Sequence, residues 1–203
     1  MFKNKLSGKF IAIEGLDGCG ASTQVELVKS YLKSQKTPII ATSEPTGDIV
    51  GSIIRGYLNK EYKLNSPEAL QLLFAADRAN HLAKEIVPKL SSGINVISDR
   101  YFLSSLAYGS LDVDTNWLAE INSQFILPDL TIILRISAKT SASRIKKDRV
   151  GIELFNNEEK ITQVWSAYEK LTKQYPNIII VDGEKTVEEV FEEIKIAIDK
   201  LIK

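Results

Sequence analysis

The chain has 203 residues, 44% of them hydrophobic and 26% charged, which suits a globular protein with one packed core. Its 26 basic and 26 acidic residues cancel, which argues against the broad basic footprint of a nucleic-acid-binding protein. The single cysteine, Cys19, excludes an internal disulfide framework and a zinc cluster, and no apolar run approaches the ~18 residues of a membrane span. The expectation is a cytoplasmic protein with no signal peptide and no membrane partner.

In chain order, the first apolar, β-branched burst covers residues 10–13. A glycine-rich turn and a helical pattern follow. Residues 38–41 form a second burst, with a helical stretch after Glu44-Pro45. A long helix is predicted to begin at Ser66, with Pro67 at its first position, and to run toward Leu90. Bursts at 94–97, 130–136 and 178–181 complete the set. Each is continuous rather than alternating, as strands buried on both faces are. A helix is predicted from about Asn157 or Glu158 to before Pro176. The last helix carries Val187, Val190, Phe191, Ile194, Ile198 and Leu201 on one face, and Thr186 and Glu189 have the spacing of a capping box. Strands alternating with helices predict an α/β fold, a five-stranded parallel sheet with helices on both faces. No linker or repeat divides residues 1–203. The charge-rich segment 144–157 reads as a flap or short lid on one domain.

The strand at 10–13 leads into Gly15-Leu16-Asp17-Gly18-Cys19-Gly20-Ala21-Ser22-Thr23. A phosphate-binding loop has Gly, four residues, Gly, Lys, then Ser or Thr. Its glycines let backbone N–H groups close on phosphate oxygens, the helix N-terminus adds positive potential, and the hydroxyl, here Ser22, meets Mg²⁺. Every element is present except the lysine, whose position Ala21 occupies. Read alone, the segment is also compatible with a glycine-rich turn that binds nothing.

Other segments resemble thymidylate kinases, nucleoside-monophosphate kinases with a phosphate loop. They are residues 14–20, Thr42-Ser43-Glu44-Pro45, Phe74-Ala75-Ala76-Asp77-Arg78-Ala79-Asn80-His81, the run from Asp99-Arg100-Tyr101 to Tyr108, and Pro128-Asp129-Leu130-Thr131. Their order and separations match that family over nearly the whole chain. The resemblance implies phosphoryl transfer from ATP to dTMP with Mg²⁺, in a homodimer. Apolar residues on the 67–90 helix and around 117–125 could serve that dimer or the core.

The resemblance assigns roles by position. Gly15, Asp17, Gly18, Cys19, Gly20, Ala21, Ser22 and Thr23 hold ATP, and Ser22 and Asp99 serve the metal. Phe74 stacks on the base, although its spacing from Leu70 and Leu73 alone reads as core. Arg78, on the same helix face, donates to a thymine carbonyl, unless it is a solvated surface arginine. Arg100 grips the acceptor phosphate with its planar, two-pronged cation. Arg55 helps it or is an exposed helix charge. Asp17 meets the sugar 3′-hydroxyl. Tyr108 crowds the 2′ position, and Ser105 stands beside the base where many relatives have Asn. Gly109 replaces a common Gln. In the lid, one of Arg144, Lys146, Lys147 and Arg149 reaches the phosphates and partly replaces the charge missing at Ala21.

Two alternatives stay open on these residues. One is another nucleoside or nucleotide kinase on the same fold. The other is a nucleotide-binding protein whose catalysis Ala21 has impaired.

Overall fold

The computed structural model describes residues 1–148 and 158–202, with the side chains of 146–148 outside the description. In chain order the elements are β1 (Phe2–Lys3), β2 (Phe10–Gly15), α1 (Ala21–Ser34), β3 (Ile39–Ser43), α2 (Ile49–Leu58) and α3 (Pro67–His81). A π-helical turn (Leu82–Ile86), α4 (Val87–Ser91), β4 (Asn95–Asp99), α5 (Phe102–Gly109), α6 (Thr115–Asn122) and β5 (Ile126–Leu127) follow. β6 (Leu130–Arg135), α7 (Ala138–Asp148), α8 (Glu158–Gln174), β7 (Ile178–Asp182) and α9 (Val187–Ile202) complete the described chain.

The five long strands form one parallel sheet in the order β3-β4-β2-β6-β7. β2, β4 and β6 are the central strands, and Phe10, Ile11, Ile13, Val96, Ile97, Ile132 and Ile133 are fully buried. That burial explains the continuous apolar runs. α1 and α9 pack on one face, while α4, α5 and α8 cover the other. Val190, Ile194 and Ile198 carry α9 into the core. At its start the Thr186 N–H donates to Glu189 at 3.0 Å and the Glu189 N–H donates back to Thr186 Oγ1 at 3.3 Å, closing the capping box.

Three departures from the sequence reading have physical causes. β2, β3 and β4 each run two residues further than their apolar bursts, because the backbone ladder pairs Ile13 with Asp99 and Ser43 with Asp99 regardless of side-chain polarity. The long helix is interrupted by its π turn. Pro88 has no N–H for the carbonyl four residues earlier, and the Val87 N–H reaches back to the Leu82 carbonyl instead. The helices Phe102–Gly109 and Thr115–Asn122 and the short pair β1–β5 carry no strong periodicity and were not expected. Leu118 and Phe125 are core residues, and Trp117 and Ile121 pack against that core, so the apolar 117–125 segment is internal.

Candidate active site

The carboxyl ends of β2, β4 and β6 converge on the phosphate loop, where open parallel sheets bind ligands. Gly20 adopts φ 92 as the N-cap of α1, and Ala21, its first residue, is buried. Gly18 has φ +77, and a Cβ there would stand 3.1 Å from Cβ of Arg144, so only glycine fits both the backbone and the approach of α7. α7 docks on the loop through Ser141, whose hydroxyl donates to the Asp17 carbonyl at 2.7 Å. One turn on, Arg144 donates to the carbonyls of Gly18 at 3.1 Å and Gly183 at 3.3 Å. Burial pushes the Cys19 thiol up to about 11, so it is inert packing inside the loop.

Ser22, in the first turn of α1, donates its hydroxyl to Oδ2 of Asp99 at the end of β4. Two hard oxygen donors meet there, a set that suits Mg²⁺. Thr23 is exposed beside them.

Arg100 follows β4 with φ 67, an uncommon value for a non-glycine residue. Its N–H donates to the Ile13 carbonyl at 2.8 Å and its carbonyl accepts from Ser98 Oγ at 2.7 Å, pinning that conformation from both sides. The guanidinium donates to Asp17 Oδ1 at 2.6 Å, to the Gly15 carbonyl at 2.9 Å and to Ser104 Oγ at 2.9 Å, and lies 5.5 Å from the Tyr108 ring centroid. Tyr108 Oη accepts the Asp17 N–H at 3.0 Å. Burial, then the Asp17 carboxylate, raises the Tyr108 pKa and keeps the phenol neutral. Asp17, Arg100 and Tyr108 therefore form one cluster at the rim of the loop.

Behind it lies Glu14, fully buried and accepting from the Tyr101 N–H at 3.0 Å, from Ser104 Oγ, and from the Tyr168 hydroxyl of α8 at 3.2 Å. Burial raises its pKa from 4.5 to about 7, against the hydrogen bond from Ser104. The sequence reading assigned Glu14, Ser104, Ser141 and Tyr168 no role. A charged residue closing an apolar strand was the available signal for Glu14; the other three carried none.

Phe74 is half-buried on α3 and stands apart from the core cluster, which takes up its neighbour Ala75. Arg78 is no surface charge: it is 1% exposed, donates to Glu44 at 2.9 Å, to Ser105 Oγ at 3.0 Å and to Asn122, and lies over the Tyr101 ring. His81 continues the network, 3.0 Å from Glu44 and 2.7 Å from Thr42 Oγ1. Arg55 turns back to the carbonyls of Pro45 at 2.6 Å and Thr46, bracing the loop after β3. Side chains of Lys146 and Lys147, and all of Arg149, lie outside the described residues.

A glycine-rich loop from β2 to α1, under a parallel sheet and beside a paired arginine and carboxylate, defines a nucleotide-binding protein of the nucleoside-monophosphate kinase type. The thymidylate kinase family model matches residues 13–194. The thymidylate kinase of Caldicellulosiruptor saccharolyticus is 37% identical over 209 residues, covering 98% of this chain and 99% of that one. That of Carboxydothermus hydrogenoformans is 36% identical over 201 residues, covering 94% and 96%. A probable thymidylate kinase of Pyrococcus horikoshii is 39% identical over 194 residues, covering 93% and 95%. The chain belongs to the thymidylate kinase family. Among the described residues, no helix is long and apolar enough to cross a membrane.

Proposed function

We propose that this protein transfers the γ-phosphoryl group of ATP to the 5′-phosphate of dTMP. The observation that carries the reading is the cluster of Asp17, Arg100 and Tyr108 beside the phosphate loop. An acceptor phosphate oxygen attacks the γ-phosphorus, the bond to the ADP oxygen breaks, and the leaving charge stays on ADP. Arg100 holds the acceptor phosphate, Asp17 accepts from the sugar 3′-hydroxyl, and Tyr108 closes the 2′ side. Phe74 stacks on thymine, Arg78 and Ser105 stand at its edge, and Arg55 steadies the Pro45–Thr46 backbone near the phosphate.

Gly15, Gly18, Cys19, Gly20, Ala21, Ser22 and Thr23 present the loop to the ATP phosphates. Ser22 and Asp99 would hold Mg²⁺, which neutralises charge on the β- and γ-phosphates when bound. Arg144, already anchored at the Gly18 carbonyl, is the described lid cation nearest the loop, with Lys147 and Arg149 following it in sequence. The chain then acts as one domain with a lid near 144–157. Ile49 and Ile53 on α2 and Leu72 on α3, all exposed, support a homodimer through that face; the single cysteine fits a reducing cytoplasm.

A coupled assay of ATP consumption with dTMP, dUMP, dCMP and thymidine tests the activity; preference for thymidine over dTMP overturns it. The alanine at position 21, which brings no charge to the loop, favours a second reading: a nucleotide-binding protein without turnover. Binding of ATP and dTMP with no transfer, in both the parent and the Ala21→Lys variant, selects that reading.

A further inference from the structure

Among the contacts that join α3 to α5, two bear on the proposed acceptor cleft. In one, Arg78 Nη2 donates to Ser105 Oγ at 3.0 Å. In the other, two turns earlier on α3 and one turn later on α5, Gln71 packs against Gly109. A Cβ added at Gly109 would lie 2.9 Å from Cδ and 3.0 Å from Oε1 of Gln71, so the absence of a side chain on α5 makes room for the amide from α3. Gln71, Phe74 and Arg78 follow helical spacing and share a face. Along the helices, Phe74 lies between Gln71 and Arg78 on α3, and Tyr108 lies between Ser105 and Gly109 on α5.

Gln71 is 7% exposed, and its Oε1 is buried with no hydrogen-bond partner among the described residues. An orphaned buried carbonyl oxygen is costly, and its presence calls for an explanation such as a ligand that completes it. Thymine offers one hydrogen-bond donor on its base, the imide N3–H. We propose that Gln71 is a specificity-determining residue for the acceptor nucleotide, its Oε1 accepting the N3–H of thymine in the proposed acceptor cleft. This rests on the reading of that cleft as the dTMP site. The same contact reads uracil and rejects cytosine, whose N3 is an acceptor.

The test compares dTMP with the 5′-monophosphate of the 2,4-difluorotoluene deoxynucleoside, which has thymine's shape and no N3–H, by titration calorimetry. The unmodified protein should bind dTMP about tenfold or more tighter than the isostere. Gln71→Met, similar in volume and unable to accept that bond in the same way, should erase most of the difference by weakening dTMP alone. Gln71→Leu should do the same, and both variants should keep or raise the thermal midpoint, since a buried unpaired acceptor is gone. Equal weakening of both ligands would make Gln71 structural, and unchanged dTMP binding would remove it from the site; either overturns the proposal while leaving the cleft intact. If the unmodified protein binds neither ligand, the dTMP reading falls and takes this one with it.

Discussion

Arg100 Nη2 lies 2.6 Å from Asp17 Oδ1, so the cation after β4 and the carboxylate of the phosphate loop hold each other at the mouth of the cleft. The pair keeps a partly exposed guanidinium aimed at the loop while leaving it accessible to a phosphate. Arg100→Ala should weaken dTMP about tenfold to a hundredfold, the scale of a charged hydrogen bond, and thymidine far less. Calorimetric titration of both ligands measures this; equal losses would make Arg100 a purely structural residue.

Phe74 is half-buried on α3 and apart from the core cluster, as a ring that stacks on a ligand would be. Phe74→Ala should cost about 1–3 kcal/mol of dTMP binding, the scale of base–aromatic stacking, with little change in the thermal midpoint. A folded variant with unchanged dTMP affinity would return Phe74 to a packing role.

Ala21 opens α1 with no charge to offer the transferred phosphate. Ala21→Lys should raise kcat and leave ATP affinity nearly unchanged, because that lysine acts most strongly on charge in transfer. Neutralising Arg144, Lys146, Lys147 and Arg149 one at a time should lower kcat sharply at the one that substitutes for it. If Arg144 does, Arg144→Ala should cost more in the parent than in the Ala21→Lys background, a non-additivity that steady-state kinetics of the four proteins would measure. Additive losses would exclude that substitution.

Glu14 has a folded pKa raised from 4.5 to about 7 by burial. Between those values the folded state holds a proton that the unfolded chain releases, so stability is greatest below about pH 4.5 on this account and is lost as pH rises through about 7. The loss amounts to about 3 kcal/mol from this group. Glu14→Gln should flatten that part of the pH–stability curve, measured by urea unfolding from pH 5 to 8. An unchanged slope would mean that Glu14 titrates normally.

Cys19 is buried, and its thiol is pushed up to about 11. In the native protein it should resist a neutral-pH disulfide reagent and react at once after unfolding in guanidinium. If Gly18 and Gly20 flank a loop that closes on ATP, nucleotide should slow the residual native reaction further. Rapid native labelling would show that the loop opens on its own.

The five strands, the phosphate loop, the Ser66 and Thr186 helix starts and the fold class were all legible along the chain. Each is encoded locally, in continuous apolar runs, glycine spacing and capping residues. The π turn was hidden because its cause, Pro88 meeting a carbonyl four residues back, is a matter of backbone bonding rather than of pattern. α5 is short and buried nearly all round, and α6 is short with only Leu118 and Asn122 buried, so neither has a clean helical stripe. The pairings were beyond reach of the sequence. Arg78 reads as a surface charge until Glu44, Ser105 and Asn122, from three other segments, enclose it. Glu14 meets Tyr168 across 154 residues, and Gln71 meets Gly109 only where α3 crosses α5. Local sequence determined which elements form; the tertiary packing decided which polar atoms are desolvated and who satisfies them, because a buried charge takes its energy from neighbours that the chain brings from far away.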